Sequence, residues 1–179
     1  HRINRRQRQM CIRDRPSTEK KNEQLHSLAN TRARIRMTSL YYFAALNKYL
    51  VAGTGNKVED FGVGFYTKYG DGGVDLSPIA DLNKTEVFAL SKHLGISKEI
   101  QNAAPTDGLW GDNRTDEDQL GASYAEIEWA MDAHEKQIAK NHFSDREKIV
   151  YDIYTKLNKQ NQHKMAPVSY THLRAHETD

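Results

Sequence analysis

The chain of 179 residues has one cysteine, four prolines and no apolar run long enough to span a bilayer. Each shortage excludes something. A lone thiol forms no internal disulfide, so the fold must rest on a packed core, and the expected compartment is the reducing cytoplasm. No stretch approaches the roughly 18 consecutive apolar residues of a spanning helix, and no apolar segment follows the basic start as it would in a secretory signal, so no membrane role is expected. Cys/His spacing of the zinc-binding kind is missing, and no serine or cysteine sits in a nucleophile motif, which leaves metal hydrolysis and acyl-enzyme chemistry without support. What is plentiful is charge, 28% of residues beside 37% hydrophobic ones, a balance that suits one globular domain.

The two ends carry a pattern that protein chemistry does not explain. Val168-Ser169-Tyr170-Thr171-His172-Leu173 back-translates to GTC TCT TAT ACA CAT CTG, and the reverse complement, CAG ATG TGT ATA AGA GAC, encodes Gln9-Met10-Cys11-Ile12-Arg13-Asp14. An inverted DNA repeat flanking an insert produces this relation, and the shared stretch resembles the transposon mosaic end of a sequencing adapter. Residues 1–15 and 168–179 are therefore expected to be adapter-derived, with 16–167 the native piece of a longer reading frame. Without those ends seven arginines and three acidic residues go, taking Lys+Arg from 26 to 19 and Asp+Glu from 24 to 21, so a net charge of +2 becomes −2. The basic arm at Arg2, Arg5, Arg6 and Arg8 then gives no reason to expect a nucleic-acid partner.

Within the native segment, Ile35, Tyr42, Ala45 and Leu46 recur at helical spacing and predict one long helix from Leu28 to Leu46. Tyr49-Leu50-Val51-Ala52, closed by Gly53-Thr54-Gly55, reads as a buried strand ending in a turn. Three later helices announce their starts by residues three apart: Asn83 with Glu86, Ser123 with Glu126, and Ser144 with Glu147. The apolar faces expected on them are Val87, Leu90 and Leu94; Ile127, Met131, His134 and Ile138; and Ile149, Ile153 and Leu157. One parallel strand is not a sheet, so the fold class expected is the mostly helical C-terminal part of an α/β, doubly wound parallel-sheet domain.

The residues able to carry chemistry are few. Arg32 and Arg36 share a helix face without an acidic residue between them, which suits either an opposing anion such as phosphate or a solvated basic face. Gly53-Thr54-Gly55 after a strand is either a tight turn or a place where a phosphate meets backbone, and Glu59 offers one carboxylate to magnesium or to solvent. Thr67-Lys68-Tyr69-Gly70-Asp71-Gly72-Gly73-Val74-Asp75 packs three glycines, a cation and two carboxylates into one loop, more easily explained by close approach to a ligand than by stability. The acidic stretch from Thr106 to Asp118 has no helical period and reads as a lid or as a disordered loop. His93 and His134 fall on helices and read as structural.

Taken in order, Arg32-Ala33-Arg34-Ile35-Arg36-Met37, Gly53-Thr54 with Glu59, the Lys68 to Gly73 block, Pro78 with Lys84-Thr85-Glu86, Ala104-Pro105-Thr106-Asp107 and Gln162-His163-Lys164 resemble the C-terminal part of the ammonia-dependent NAD synthetases, over residues 25 to 166. The resemblance implies an ATP-pyrophosphatase fold and a ligase of NAD biosynthesis. In that reaction the nicotinate carboxylate of deamido-NAD attacks the α-phosphorus of ATP, pyrophosphate leaves with magnesium, and ammonia displaces AMP from the mixed anhydride to give NAD. It further implies ATP contacts at Thr54, Lys84 and Thr106, a magnesium ligand at Glu59, and deamido-NAD contacts at Arg34, Lys68, Asp75, His163 and Lys164. Asp71 and Lys84 are the catalytic candidates, Asp71 for ammonium and Lys84 for phosphate charge, and the long helix would join a homodimer. The family's Ser-Gly-Gly-x-Asp-Ser phosphate loop is absent from the sequence, so the chain alone is expected to be inactive, and it is expected to fold poorly because one strand and its helices would expose the apolar surface meant to meet the rest of the sheet. Two other readings are a non-catalytic nucleotide-binding or dimerisation module and another ATP-pyrophosphatase amidating enzyme, such as a GMP or argininosuccinate synthetase.

Overall fold

The computed structural model describes residues 18–110 and 114–166; the ends expected to be adapter-derived, 1–15 and 168–179, lie outside them. Helix α1, Thr18–Asn47, is the longest element, about 45 Å at roughly 1.5 Å per residue. Its serines and threonines stay helical by returning their hydroxyls to the carbonyl four residues back, as Ser27 does to Glu23, Thr31 to Ser27 and Thr38 to Arg34. It stops where Lys48 takes a left-handed φ of 59° and the Tyr49 N–H bonds back to Ala44 O at 2.8 Å. The helix is longer than its apolar spacing predicts, and the residues that set that spacing are not the ones it packs on the rest of the chain. Ala29, Ala33 and Ala44 are buried, while Ile35, Tyr42 and Leu46 stand in solvent.

The strand expected at 49–52 is reduced to one parallel bridge between Ala52 and Leu76, flanked by Gly53 N–H to Leu76 O at 2.7 Å and Asp75 N–H to Val51 O at 2.9 Å. Only Val51 is buried; Tyr49 is 72% and Leu50 69% exposed. A parallel strand becomes buried when neighbours cover both faces, and among the described residues none lies beyond it. A π-helical turn, Val58–Val63, follows, then α2 (Lys84–His93), α3 (Lys98–Gln101), α4 (Asp116–Leu120), α5 (Tyr124–Glu135), a 3-10 turn at Lys140–His142, and α6 (Asp145–Met165).

The three expected helix starts are all formed. Glu86 accepts the Asn83 N–H at 2.7 Å, Glu126 that of Ser123 at 2.9 Å, and Glu147 that of Ser144 at 2.6 Å. A fourth lies inside the acidic stretch read as lid or disordered loop: Thr115 and Asp118 cap each other and open α4. The core gathers Val58 and Val63 of the π-helical turn, Leu120 of α4, Tyr124, Ile127, Ala130 and Met131 of α5, and Val150 and Tyr154 of α6. On α6 the buried face is thus one residue out of phase with the expected Ile149, which is 54% exposed, although Ile153 and Leu157 pack at its edge. On α2, Leu90 and Leu94 remain exposed.

Candidate active site

The π-helical turn is built to aim one side chain. Buried Asn56 accepts the N–H groups of Val58 and Glu59 on Oδ1 at 3.0 and 3.1 Å, and Glu59 returns Oε2 to the Asn56 N–H at 3.4 Å. Glu59 is thereby fixed beneath the first residues of three helices. Lys84 at the start of α2 donates from Nζ to Glu59 Oε1 at 3.1 Å, and Tyr124 at the start of α5 donates its hydroxyl to the same oxygen at 2.6 Å. Asp116, first in α4, lies on the far side of that hydroxyl, 3.4 Å away. Burial, then the charge of Glu59, push the Tyr124 phenol and the Asp116 carboxyl above their ordinary values, so Tyr124 remains a proton donor. The expected ATP contact Lys84 and the expected magnesium ligand Glu59 are an ion pair.

A second group forms where α6 meets the glycine-rich loop. Lys164 donates to Gly64 O at 2.9 Å and Tyr66 O at 2.8 Å, Lys68 donates to His163 O, and Arg34 Nε donates to Lys68 O at 3.3 Å. Three of the five expected deamido-NAD residues, Arg34, Lys68 and His163, are therefore linked, and Lys164, next to His163, holds the same loop. Burial lowers the pKa of Lys164, opposed by the negative charge of Asp71. The Asp71 carboxyl accepts the Thr67 N–H at 2.9 Å; desolvation raises its pKa, with that N–H and Lys164 pulling the other way. Asp71 borders a cavity of about 350 Å³ shared with Lys164, Tyr66, Trp110, Asp107 and Gln119, and a second of about 300 Å³ shared with Thr54, Met37 and Leu40.

Other expected residues go elsewhere. Asp75 spends both oxygens tying α1 to the strand remnant, accepting the Tyr41 hydroxyl at 3.0 Å and the Val51 N–H at 2.8 Å. Thr106 is exposed and borders neither of these cavities. Arg32 and Arg36 hold backbone: Arg32 donates to Leu109 O, and Arg36 to Asp107 O at 3.2 Å and Gly108 O at 3.3 Å. That loop is also braced by Trp110, whose indole N–H donates to Asp107 Oδ2 at 3.0 Å and whose ring lies 5.1 Å from His26. Among the described residues no three His, Cys, Asp or Glu side chains are grouped as a metal would need.

The family model described as NAD synthase matches residues 7–168. The chain belongs to that family. Among relatives, the NH(3)-dependent NAD(+) synthetase of Carboxydothermus hydrogenoformans is 51% identical over 102 residues, 57% of this chain and 41% of that protein. The one from Archaeoglobus fulgidus is 44% identical over 141 residues, 79% of this chain and 55% of that protein. The chain thus spans about half the length of the curated NAD synthetases it matches. Two solved structures share its fold. The NMN synthetase of Francisella tularensis aligns with a TM-score of 0.68 at 33% identity, over 81% of this chain and 56% of that one. The NH3-dependent NAD synthetase of Campylobacter jejuni, in complex with nitrate, aligns with 0.62 at 26%, over 89% and 59%. The α/β fold of NAD synthetases is thereby established for the chain, which carries a mostly helical part of it.

Three residues of the Glu59 group escaped the sequence reading. Asn56 had a signal, since Asn and Glu three apart is the spacing that marks the other helix starts. Tyr124 and Asp116 had none beyond following a capping residue.

Proposed function

We propose that this chain is part of an ammonia-dependent NAD synthetase, a cytoplasmic ligase that amidates deamido-NAD at the expense of ATP. The observation that carries the reading is the Lys84–Glu59 ion pair, set beside a turn in which Asn56 fixes the backbone of Glu59. In it, Lys84 neutralises ATP phosphate charge, and Thr54 and Thr106 contact the nucleotide. Arg34, Lys68, His163 and Lys164 hold the anionic substrate, with Asp75 toward its ribose or nicotinate side. Asp71, open to both cavities, binds ammonium and takes its proton as ammonia attacks the acyl adenylate. Catalysis is then orientation and charge neutralisation, with no protein nucleophile.

Glu59 also fits a magnesium ion: its Oε2 has only one long hydrogen bond, and magnesium beside phosphates takes one or two carboxylates. Bound there, the ion would supply positive charge to the departing pyrophosphate. A homodimer through α1 is part of the same reading, supported by the exposed row Leu25, Leu28, Ile35, Tyr42 and Leu46. So is the assignment of 16–167 as native and inactive alone. No nucleic-acid or membrane partner belongs to it.

The likeness to an NMN synthetase favours a second reading, in which the amidated acid is the mononucleotide. The test is expression of the complete reading frame and assay of ATP- and ammonia-dependent amidation with both acids. NAD formed with AMP and pyrophosphate supports the first reading; preference for the mononucleotide supports the second; neither product sinks both.

A further inference from the structure

Tyr124 touches both members of the Lys84–Glu59 pair. Its hydroxyl donates to Glu59 Oε1 at 2.6 Å, and its ring faces Lys84 Nζ with 4.8 Å to the centroid. Oε1 therefore carries two strong donors while Oε2 carries one bond of 3.4 Å. A carboxylate can turn about its last bond, and without the hydroxyl Lys84 could be met by either oxygen. Behind Tyr124 sits Asp116, 8% exposed, with Oδ1 bonded to nothing among the described residues and Oδ2 reaching only the shared hydroxyl. An underpartnered carboxyl so buried costs stability, and core packing gives no reason to keep it.

We infer that Tyr124, backed by Asp116, is a positioning residue that saturates Glu59 Oε1 and presents Oε2 toward the divalent cation and nucleotide phosphates. The inference rests on the proposed synthetase reading and extends it to residues outside the expected contacts. The arrangement resembles an outer shell of a metal site: a group that never meets the ion but sets the orientation of one that does, whose loss costs roughly 10- to 100-fold in metal affinity or activity.

The experiment uses the full-length protein and its Tyr124→Phe and Asp116→Asn variants. Magnesium-dependent ATP binding is measured by titration calorimetry, with kcat and the KM for each substrate measured beside it. Tyr124→Phe is expected to weaken the apparent magnesium affinity roughly tenfold or more and to lower kcat, with the KM for the nicotinate substrate retained and a cooperative thermal transition still present. Asp116→Asn is expected to shift magnesium affinity in the same direction by less. A folded Tyr124→Phe protein with wild-type magnesium affinity overturns the inference while leaving the synthetase reading intact. Should Tyr124→Phe not fold, an unchanged magnesium affinity in Asp116→Asn overturns it equally. A wild-type protein that binds no magnesium-ATP and makes no amidated product overturns the functional reading, and the inference with it.

Discussion

Asn56 and Glu59 cap each other across three residues, the amide oxygen of one on the backbone of the other and the carboxylate returned. Asn56 is 1% exposed, so its acceptor has no substitute from water. Asn56→Ala strands the N–H groups of Val58 and Glu59 and is expected to cost about 1–3 kcal/mol, seen as a lower denaturant midpoint at unchanged slope. Asn56→Ser keeps an acceptor oxygen without burying a charge beside Glu59 and should cost less. Equal losses in the two variants would contradict the capping role.

Lys84 is the cation nearest Glu59. Lys84→Met keeps the stem and removes the charge, and pyrophosphate release by the full-length protein should slow by roughly 10²- to 10³-fold with the far-UV spectrum unchanged. Arginine at this position should restore little, because a guanidinium fork engages both carboxylate oxygens, whereas the Lys84 ammonium takes only Glu59 Oε1. Wild-type release rates in Lys84→Met would remove this side chain from the chemistry.

Gly64 ends the π-helical turn with φ 63°, and a Cβ there would sit 2.5 Å from Asn161 Cβ, an atom that no rotation moves aside. Asn161 meanwhile donates to Val63 O at 2.8 Å. Gly64→Ala must push α6 off the turn, an overpacking cost of about 1–3 kcal/mol. Thermal unfolding checks it, and an unchanged midpoint would show that α6 moves freely.

Acid should reveal the Glu126–Arg146 pair. Hydrogen bonds from Arg146, then from Ser123, hold the Glu126 carboxyl at about 2 against an ordinary 4.5. Its proton affinity is lower folded than unfolded, so the stabilisation is complete above pH 4.5 and disappears as pH falls through about 2. The stability difference between wild type and Glu126→Gln, from unfolding curves at a series of pH values, should therefore shrink across that window. A difference that stays constant would show that the pair adds nothing.

Local signals were the legible part of this fold. Ser123 with Glu126 and Ser144 with Glu147 mark helix starts because a cap is a bond between residues three apart, needing no tertiary partner. Thr115 with Asp118 does the same work with a shorter carboxylate, which is why α4 passed for loop. Phase was harder to read. Ile149 and Val150 are adjacent and both apolar, and only the position of α5 decides that Val150 turns inward. On α1 the spacing of Ile35, Tyr42 and Leu46 marks a helix without saying which side packs, and it is Ala29, Ala33 and Ala44 that are buried. Of the site, Lys84 and Glu59 were visible through family likeness, whereas Tyr124 and Asp116 join them only through contacts 65 and 8 residues apart in sequence.

The ties between α6 and the 62–68 segment have a kinetic side. Asn158 to Gly62 O, Asn161 to Val63 O, Lys164 to Gly64 O and Tyr66 O, and Lys68 to His163 O each close a span of 95 to 100 residues. Contacts of such separation form late, after the entropy of closing the intervening chain has been overcome. The glycine loop, whose path is written by side chains from α6, therefore acquires its shape only once α6 has docked. Before that closure Asp71 has no fixed neighbour in Lys164, and during synthesis from the N-terminus it waits until α6 has emerged.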